Sequence, residues 1–408
     1  MIKYIKAHKK IFKDFIYSFI AYALPTVVLQ FAVQPLIANR TSADENGLFV
    51  ALFNVVKLMV GVFIMPLANL RLLRKQDCEK TVALNSFFNF LFLIAISCTA
   101  LIGSIMNGFY RNLSFDVYDI LKLLLVLILM GTHDYFMIEF RIALNYKKIV
   151  IDNCLIVIGY GIGMLIFAKT GIWEAIFIAG YLFGAAFVLI DTKLWRSKPG
   201  TKEGRYLVRQ YTELSASDLL KNASTYCDRL IIYPVLGGFD ESVYNAASIV
   251  SKAISVISSP LRNVLLSYIV NNNGLTISKK KIRKIVFPAV AVFAVAFLAF
   301  WGFSTLACDL LYPKYAAFAR PYIPMIIITI MIETSGAIMN IALLRFAKTG
   351  VQTIISALKL AVYLVAVLIL SVLLKTGLWG FCIAILLAAL TFTVAVVIGL
   401  RKNINIVE

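Results

Sequence analysis

Four cations stand out in a chain that is 61% hydrophobic. Lys57 lies in ALFNVVKLMVGVFIM, Lys221 and Arg229 in SASDLLKNASTYCDRL, and Lys252 in NAASIVSKAISVISS. Ammonium and guanidinium groups gathered in such a setting attract an anion and repel a cation. Phosphate suits both groups well. Three acids, Asp134, Asp218 and Glu333, occupy comparable stretches. A desolvated carboxyl can titrate near neutral pH, which makes these three candidates for a proton or cation relay. His133, next to Asp134, reads as structural rather than catalytic. The chain has no P-loop, no paired His-Glu metal motif and no GxSxG, and GTKEGR at 200–205 is not a phosphate loop. Its six cysteines are scattered and form no CxxC pair, which speaks against disulfides and a metal. The chemistry on offer is binding and passage, not covalent catalysis, and the expectation is a non-enzyme without a cofactor.

The elements that position these residues are membrane spans. Of the 408 residues 61% are hydrophobic and 15% charged, against about a quarter charged in a soluble domain. Mean hydropathy is +0.87. Apolar runs of about 20 residues recur along the whole length, each long enough to cross a bilayer. The fold class expected is an all-α polytopic membrane protein of twelve helices. The spans fall near 14–38, 47–70, 82–106, 118–140, 149–168, 171–190, 210–236, 242–264, 285–307, 318–344, 352–374 and 377–400. The basic N-terminus leads into a retained first helix, since no small-residue cleavage site follows. With Arg262 and Arg320, at span ends, counted with the adjoining loops, 28 Lys and Arg residues fall on the side of the two termini and six on the other. Cytoplasmic loops collect Lys and Arg, so both termini are cytoplasmic. The net charge of +19 is mostly this orientation signal, and no nucleic-acid partner is expected. The same count requires SASDLLKNASTYCDRL to cross the membrane, because otherwise every later loop would change sides.

An internal repeat divides the chain. DENGLFVALFNVVKLMVGVFIMPLAN (44–69) parallels DESVYNAASIVSKAISVISSPLRN (240–263), with offsets of 196 at Asp44/Asp240, 195 at Lys57/Lys252 and 194 at Pro66/Pro260. The matched segments are spans two and eight. Two six-helix bundles follow, 1–190 and 210–408, joined by a basic cytoplasmic linker at 191–209. Parallel repeats of this kind are a transporter architecture with the substrate site between the halves. At 100° per residue, Ser215, Asp218, Lys221, Asn222, Thr225 and Arg229 share one face of span seven within roughly 60° of Asp218. Asn245, Ser248, Lys252, Ser255 and Ser259 form a stripe on span eight. Ser18, Tyr22, Gln30 and Gln34 form one on span one, which Pro25 kinks. Such faces turn to a polar cavity or to other protein. Asp218 and Lys221 can also simply neutralise each other, and serine stripes also serve close helix packing. The substrate-binding candidates are Lys57, Lys221, Asn222, Arg229, Lys252, Gln30, Gln34 and Ser255. A diphosphate-linked lipid fits this set, with its phosphates and sugars in the polar region and its tail in lipid.

These residues carry a resemblance. DENGLFVALFNVVK, and DRLIIYPVLGGFDESVYNAASIVSKAI with its Asp228-Arg229 pair, resemble polysaccharide exporters of the multidrug/oligosaccharidyl-lipid/polysaccharide superfamily. The likeness is greatest to O-antigen and capsule repeat-unit flippases of the Wzx type. One departure is Val243, where such proteins often carry the glycine that Gly47 supplies in the first copy. The resemblance implies two six-helix bundles facing a cationic cavity in the bacterial inner membrane. It implies alternating access that moves an undecaprenyl-diphosphate-linked oligosaccharide outward, coupled to a proton or sodium gradient. The partners it implies are the lipid-linked oligosaccharide and membrane lipids, with a polysaccharide polymerase and chain-length regulator as candidate proteins. The rivals are a cation-coupled multidrug exporter or an exporter of another lipid-linked substrate, both of the same superfamily, and, more remotely, a membrane polysaccharide polymerase. The topology is checked with a single cysteine at position 200. A membrane-impermeant thiol reagent should leave it unlabelled in whole cells, and labelling from the periplasmic side would overturn the orientation.

Overall fold

The computed structural model describes residues 19–20, 23–75, 82–113, 115–198, 200, 205–249, 254, 279–346 and 349–403. The described residues form helices and connecting turns, with no strand among them. A π-turn, Leu29–Val33, runs into α1 (Gln34–Arg40). Helices α2 (Ala43–Met59) and α3 (Met65–Leu73) make one rod interrupted by a second π-turn, Val60–Ile64. Then come α4 (Val82–Tyr110), α5 (Val117–Phe136), the short α6 (Ile138–Ile142), α7 (Tyr146–Thr170) and α8 (Glu174–Asp191). The second half holds α9 (Arg205–Leu236), α10 (Gly238–Ala247), α11 (Lys279–Leu311), α12 (Ala316–Ala319), α13 (Ile323–Phe346), α14 (Thr349–Val367) and α15 (Leu378–Asn403).

Nine of the described helices are long and apolar enough to cross a membrane, and the chain is a multi-pass membrane protein. Helix α9 is not among the nine because it is too polar. It is nonetheless continuous over 32 residues, or roughly 48 Å at the α-helical rise, more than the hydrocarbon core of a bilayer. Lys252 and Ser255 lie outside the described residues.

The chain divides into two compact units. The first comprises the described parts of Met1–Ser42 and Leu48–Asn222, the second those of Ala43–Gly47 and Ala223–Glu408. Two helices are therefore shared: the first turn of α2 belongs to the second unit, and the first half of α9 to the first.

In the first unit α7 and α8 pack backbone against backbone. A Cβ on Gly159 would lie 2.6 Å from the Ala179 carbonyl oxygen, and one on Gly163 only 2.4 Å from Ile176 Cα. Small residues let membrane helices approach this closely and gain dispersion contacts that lipid cannot supply. The linker is tied to the same unit. Asn89 Nδ2 donates to the carbonyls of Leu194 (2.8 Å) and Ser197 (2.7 Å), and Glu139 accepts from the backbone N–H groups of Lys193 and Leu194. Arg71, assigned to a cytoplasmic loop from the sequence, is instead 1% exposed near the end of α3. Its guanidinium donates to Asn85, Asn89 and the Tyr135 hydroxyl.

The repeat has a physical counterpart in the second unit. Helices α2 and α10 both open with an acid pair, Asp44-Glu45 and Asp240-Glu241. Asn46 Nδ2 donates to Ser242 Oγ at 2.8 Å, and these residues stand 196 apart, as Asp44 and Asp240 do. Equivalent positions of the two copies touch each other. Ser242 Oγ donates on to the Ala43 carbonyl. Gly47 backs onto Gly238, where a Cβ would come within 2.4 Å of backbone. Gly47 is needed for that approach, whereas Val243 packs its side chain into the core at 2% exposure. This accounts for the one departure between the copies.

The α7–α8 seam is checked by paired substitutions. Gly163→Val must push the backbones apart and should cost about 1–3 kcal/mol in thermal unfolding. A Cβ on Gly161 of the same helix would meet no atom within 4 Å, and Gly161→Val should leave stability nearly unchanged.

Candidate functional site

The first unit holds Lys57, Gln30, Gln34, Asp134, Asp218, Lys221 and Asn222. The second holds Arg229 and Glu333. Lys57 lies two residues from the end of α2, just before the π-turn. Its Nζ sits 4.3 Å from the centroid of the Phe53 ring, one turn back on the same helix. Gln30 lies within the first π-turn and Gln34 directly after it, and both are buried.

Both π-turns follow one rule, which explains where Asn222 goes. In the second, the Met65 N–H bonds to the Val60 carbonyl, five residues back. In that register the Gly61 carbonyl would accept from residue 66, which is Pro66 and has no N–H. An orphan carbonyl in a membrane must find another donor. Asn222 Nδ2, from α9, donates to the Gly61 carbonyl at 3.2 Å and to the Asp218 carbonyl at 2.8 Å. Gly61 leaves room for it, since a Cβ there would stand 3.0 Å from the Asn222 amide. Tyr211, also on α9, donates to the Phe63 carbonyl. The polar face of α9 is thus partly a set of donors for the interrupted rod beside it. Asp218 lies within electrostatic reach of Lys221, as their spacing of three residues on α9 implies.

Asp134 belongs to a cluster that the sequence showed only in part. His133 Nδ1 contacts Asp134 Oδ1 at 2.8 Å, and its Nε2 contacts Asp152 Oδ2 at 2.7 Å. Helices α5 and α7 supply the three residues. A ring nitrogen bonded to an ionised carboxylate must carry hydrogen, because the carboxylate can only accept. With both nitrogens so engaged, the trio holds one proton more than a neutral imidazole and two carboxylates. His133 is 3% exposed and Asp152 0%, and the second oxygen of Asp152 has no hydrogen-bond partner. The Tyr181 ring of α8 lies 5.7 Å from the imidazole, and Gly184 lets α8 close against it. Asp152 escaped the sequence reading because it lies only three residues into its span, where an acid can reach the interface. The signal for it was the adjacent amide in IDNC and the lone histidine one helix earlier.

In the second unit Arg229 shares its surroundings with Asp228, Glu241, Tyr226 and Tyr244. Tyr244 donates to Asp228 Oδ2 at 2.6 Å. Two carboxylates therefore face one guanidinium. Glu333 of α13 pairs with Lys359 of α14 at 2.5 Å. Lys359 lies one helix away in sequence, beyond the reach of same-helix spacing. No group of three or more metal-ligating side chains occurs among the described residues.

No family model matches the sequence, and no curated protein matches it. Solved structures do. The chain aligns with a MATE crystal structure in the bent conformation over 97% of its own length and 94% of the other, at 13% identity and a TM-score of 0.59. An inward-facing multidrug resistance MATE family transporter of the MOP superfamily aligns over 95% and 97%, at 10% identity and a TM-score of 0.63. The lipid II flippase MurJ in an inward closed conformation aligns over 95% and 87%, at 13% identity and a TM-score of 0.62. At these identities the likeness is one of fold. The chain has the all-α fold of MOP-superfamily transporters, which have twelve helices in two bundles.

The buried trio is checked by stability. Asp152→Leu removes the fully buried partner of the His133 ring and should cost about 3 kcal/mol or more in thermal unfolding. Asp134→Asn should cost less, because the Asp134 side chain is 20% exposed. Equal costs would show that the two carboxylates are not distinguished as described.

Proposed function

We propose that the protein is a flippase that exports an undecaprenyl-diphosphate-linked oligosaccharide repeat unit, of O-antigen or capsule, by alternating access in the bacterial inner membrane. The observation that carries this reading is Lys57, a cation inside an apolar rod that rests on an aromatic face. Lys221 adds a second cation to the same unit, and Lys252, at the repeat-equivalent position, is assigned to the same task. Such charges cost at least about 2.5 kcal/mol each at the bilayer centre, and an anionic substrate offsets that cost during passage. The fold supports the reading, since a lipid II flippase shares it. The substrate's sugars would meet the serine and asparagine faces, and its tail would stay in lipid. Membrane lipids, a polysaccharide polymerase and a chain-length regulator are the proposed partners, in lipopolysaccharide or capsule biosynthesis.

Export is proposed to draw on a proton gradient. The His133–Asp134–Asp152 trio is a store for one proton inside the first unit, and supports a proton over sodium as the coupling ion. Glu333 and Asp218 remain secondary candidates, each beside a lysine.

A second reading, export of drugs coupled to a cation, is favoured by the MATE structures among those that match. The two readings separate on substrate charge. Reconstituted in proteoliposomes, the protein should translocate a fluorescent undecaprenyl-diphosphate oligosaccharide and leave an ethidium gradient untouched. In cells, Lys57→Ala, Lys252→Ala and Arg229→Ala should each lower surface polysaccharide without removing the protein from the membrane. Wild-type polysaccharide in all three would refute the anion reading.

A further inference from the structure

The turns of the second unit that precede α10, α13 and α15 carry aromatic rings with polar groups between them. Phe239, Phe318 and Trp379 are 42%, 55% and 42% exposed. Phe239 meets Phe318 edge-on, with centroids 5.1 Å apart. Tyr322 meets Trp379 at 4.8 Å. Asp240, next to Phe239, lies within electrostatic reach of Tyr322, which links the two ring pairs. Arg320 stands between Phe318 and Tyr322 in the chain. It forks onto Asp309, donating from Nε to Oδ1 at 3.2 Å and from Nη2 to Oδ2 at 2.8 Å.

These rings are held in place by buried neighbours. Leu378 and Phe381 flank Trp379 and are buried. A Cβ on Gly380 would lie 2.4 Å from the hydroxyls of Ser371 and Thr376, so the start of α15 is fixed against the turn before it and Trp379 is left facing outward. Gly238 fixes Phe239 and Asp240 in the same way, since a Cβ there would lie 2.5 Å from Asp44 Cα. Ala316 and Ala319 are buried beneath the turn that presents Phe318.

A surface made for lipid tails has another composition. The exposed residues Val295, Leu298, Phe303 and Leu306 of α11 stand in a stretch, 293–306, without a charged residue. Around the three exposed rings, Asp240, Asp309 and Arg320 are interspersed. A hydrocarbon tail laid across them would strip water from charged groups and offer nothing in return. A sugar suits both components: its C–H face covers an aromatic ring, and its hydroxyls donate to a carboxylate and accept from a guanidinium. The Lys and Arg distribution places these turns on the side away from the two termini.

We propose that this surface is an oligosaccharide-binding platform on the outer face of the second unit, with Trp379 and Phe318 as stacking rings and Asp240 as the acceptor for sugar hydroxyls. It holds the sugars of the repeat unit once they have crossed. The proposal rests on the flippase reading given above for the identity of the sugar.

The test uses the full chain in nanodiscs and two probes, titrated separately by calorimetry. One is the oligosaccharide repeat unit of the source cells' polysaccharide, released from its lipid. The other is undecaprenyl diphosphate without sugars. Thermal unfolding is the folding control. Trp379→Leu should bind the oligosaccharide about tenfold more weakly and undecaprenyl diphosphate as wild type does. Trp379→Phe, which keeps a ring, should lose less. Asp240→Asn should weaken the oligosaccharide too, because a neutral amide is a poorer acceptor than a carboxylate. Where Trp379→Leu unfolds early, Phe318→Leu takes its place. If the wild type does not bind the oligosaccharide, or the folded variants bind it as wild type does, the platform is overturned and the rings are a lipid-facing belt. If undecaprenyl diphosphate does not bind the wild type, the flippase reading fails, and ring-dependent binding of the free oligosaccharide would still support the platform.

Discussion

Apolar solvent offers no hydrogen bonds and no ionic screening, so this chain has to satisfy every buried charge and every orphan backbone group from its own side chains. The rest of the structure follows from that requirement. The Gly61 carbonyl, left open by a π-turn and a proline, takes its donor from Asn222 on another helix. Arg71 is buried and meets two asparagine carbonyls and a tyrosine hydroxyl. His133 is bridged by two carboxylates. Each of these debts is settled between helices, and the settlements are what hold the helices in register.

The two π-turns show how local sequence chemistry becomes tertiary structure. In Leu29–Val33 and in Val60–Ile64 a proline stands six residues after the first π residue, at Pro35 and Pro66. The wide turn and the missing N–H arise together and leave a carbonyl seeking a donor. At the second π-turn this demand falls one turn beyond Lys57 and is met by Asn222 of the polar helix α9. Part of the polarity of α9 is therefore structural. Asn222 serves the rod beside it.

Cations are carried in two distinct ways. Lys359 and Arg229 face carboxylates, and Lys57 lies on a ring. The carboxylate contacts neutralise charge between side chains, and the ring contact lies one turn back on the same helix. In the proposed mechanism the acids and the cations divide the work within the first unit, with the proton held at His133, Asp134 and Asp152 and the anion met at Lys57. Phe53 of α2 and Phe177 of α8 stack on each other within that same compact unit.

The sequence by itself determined the class of protein. Apolar runs, the Lys and Arg asymmetry and the repeat from Asp44 to Asp240 are local or periodic signals, and each follows from the thickness and electrostatics of a bilayer. They were enough for a polytopic helical fold, and they marked Lys57, Asp134 and Asn222 as unusual. Tertiary structure alone decided what those residues do. Asn222 turned out to serve a carbonyl 161 residues away, Asp134 acquired Asp152 through an imidazole, and Glu333 acquired Lys359 from the next helix. Arg71 moved from an expected loop into a buried bond network. Helical periodicity reports which residues share a face of one helix. A hydrogen bond or ion pair between helices depends on which faces meet, and that is set by packing at positions such as Gly159, Gly163 and Gly47, whose small size carries no label of the partner it admits.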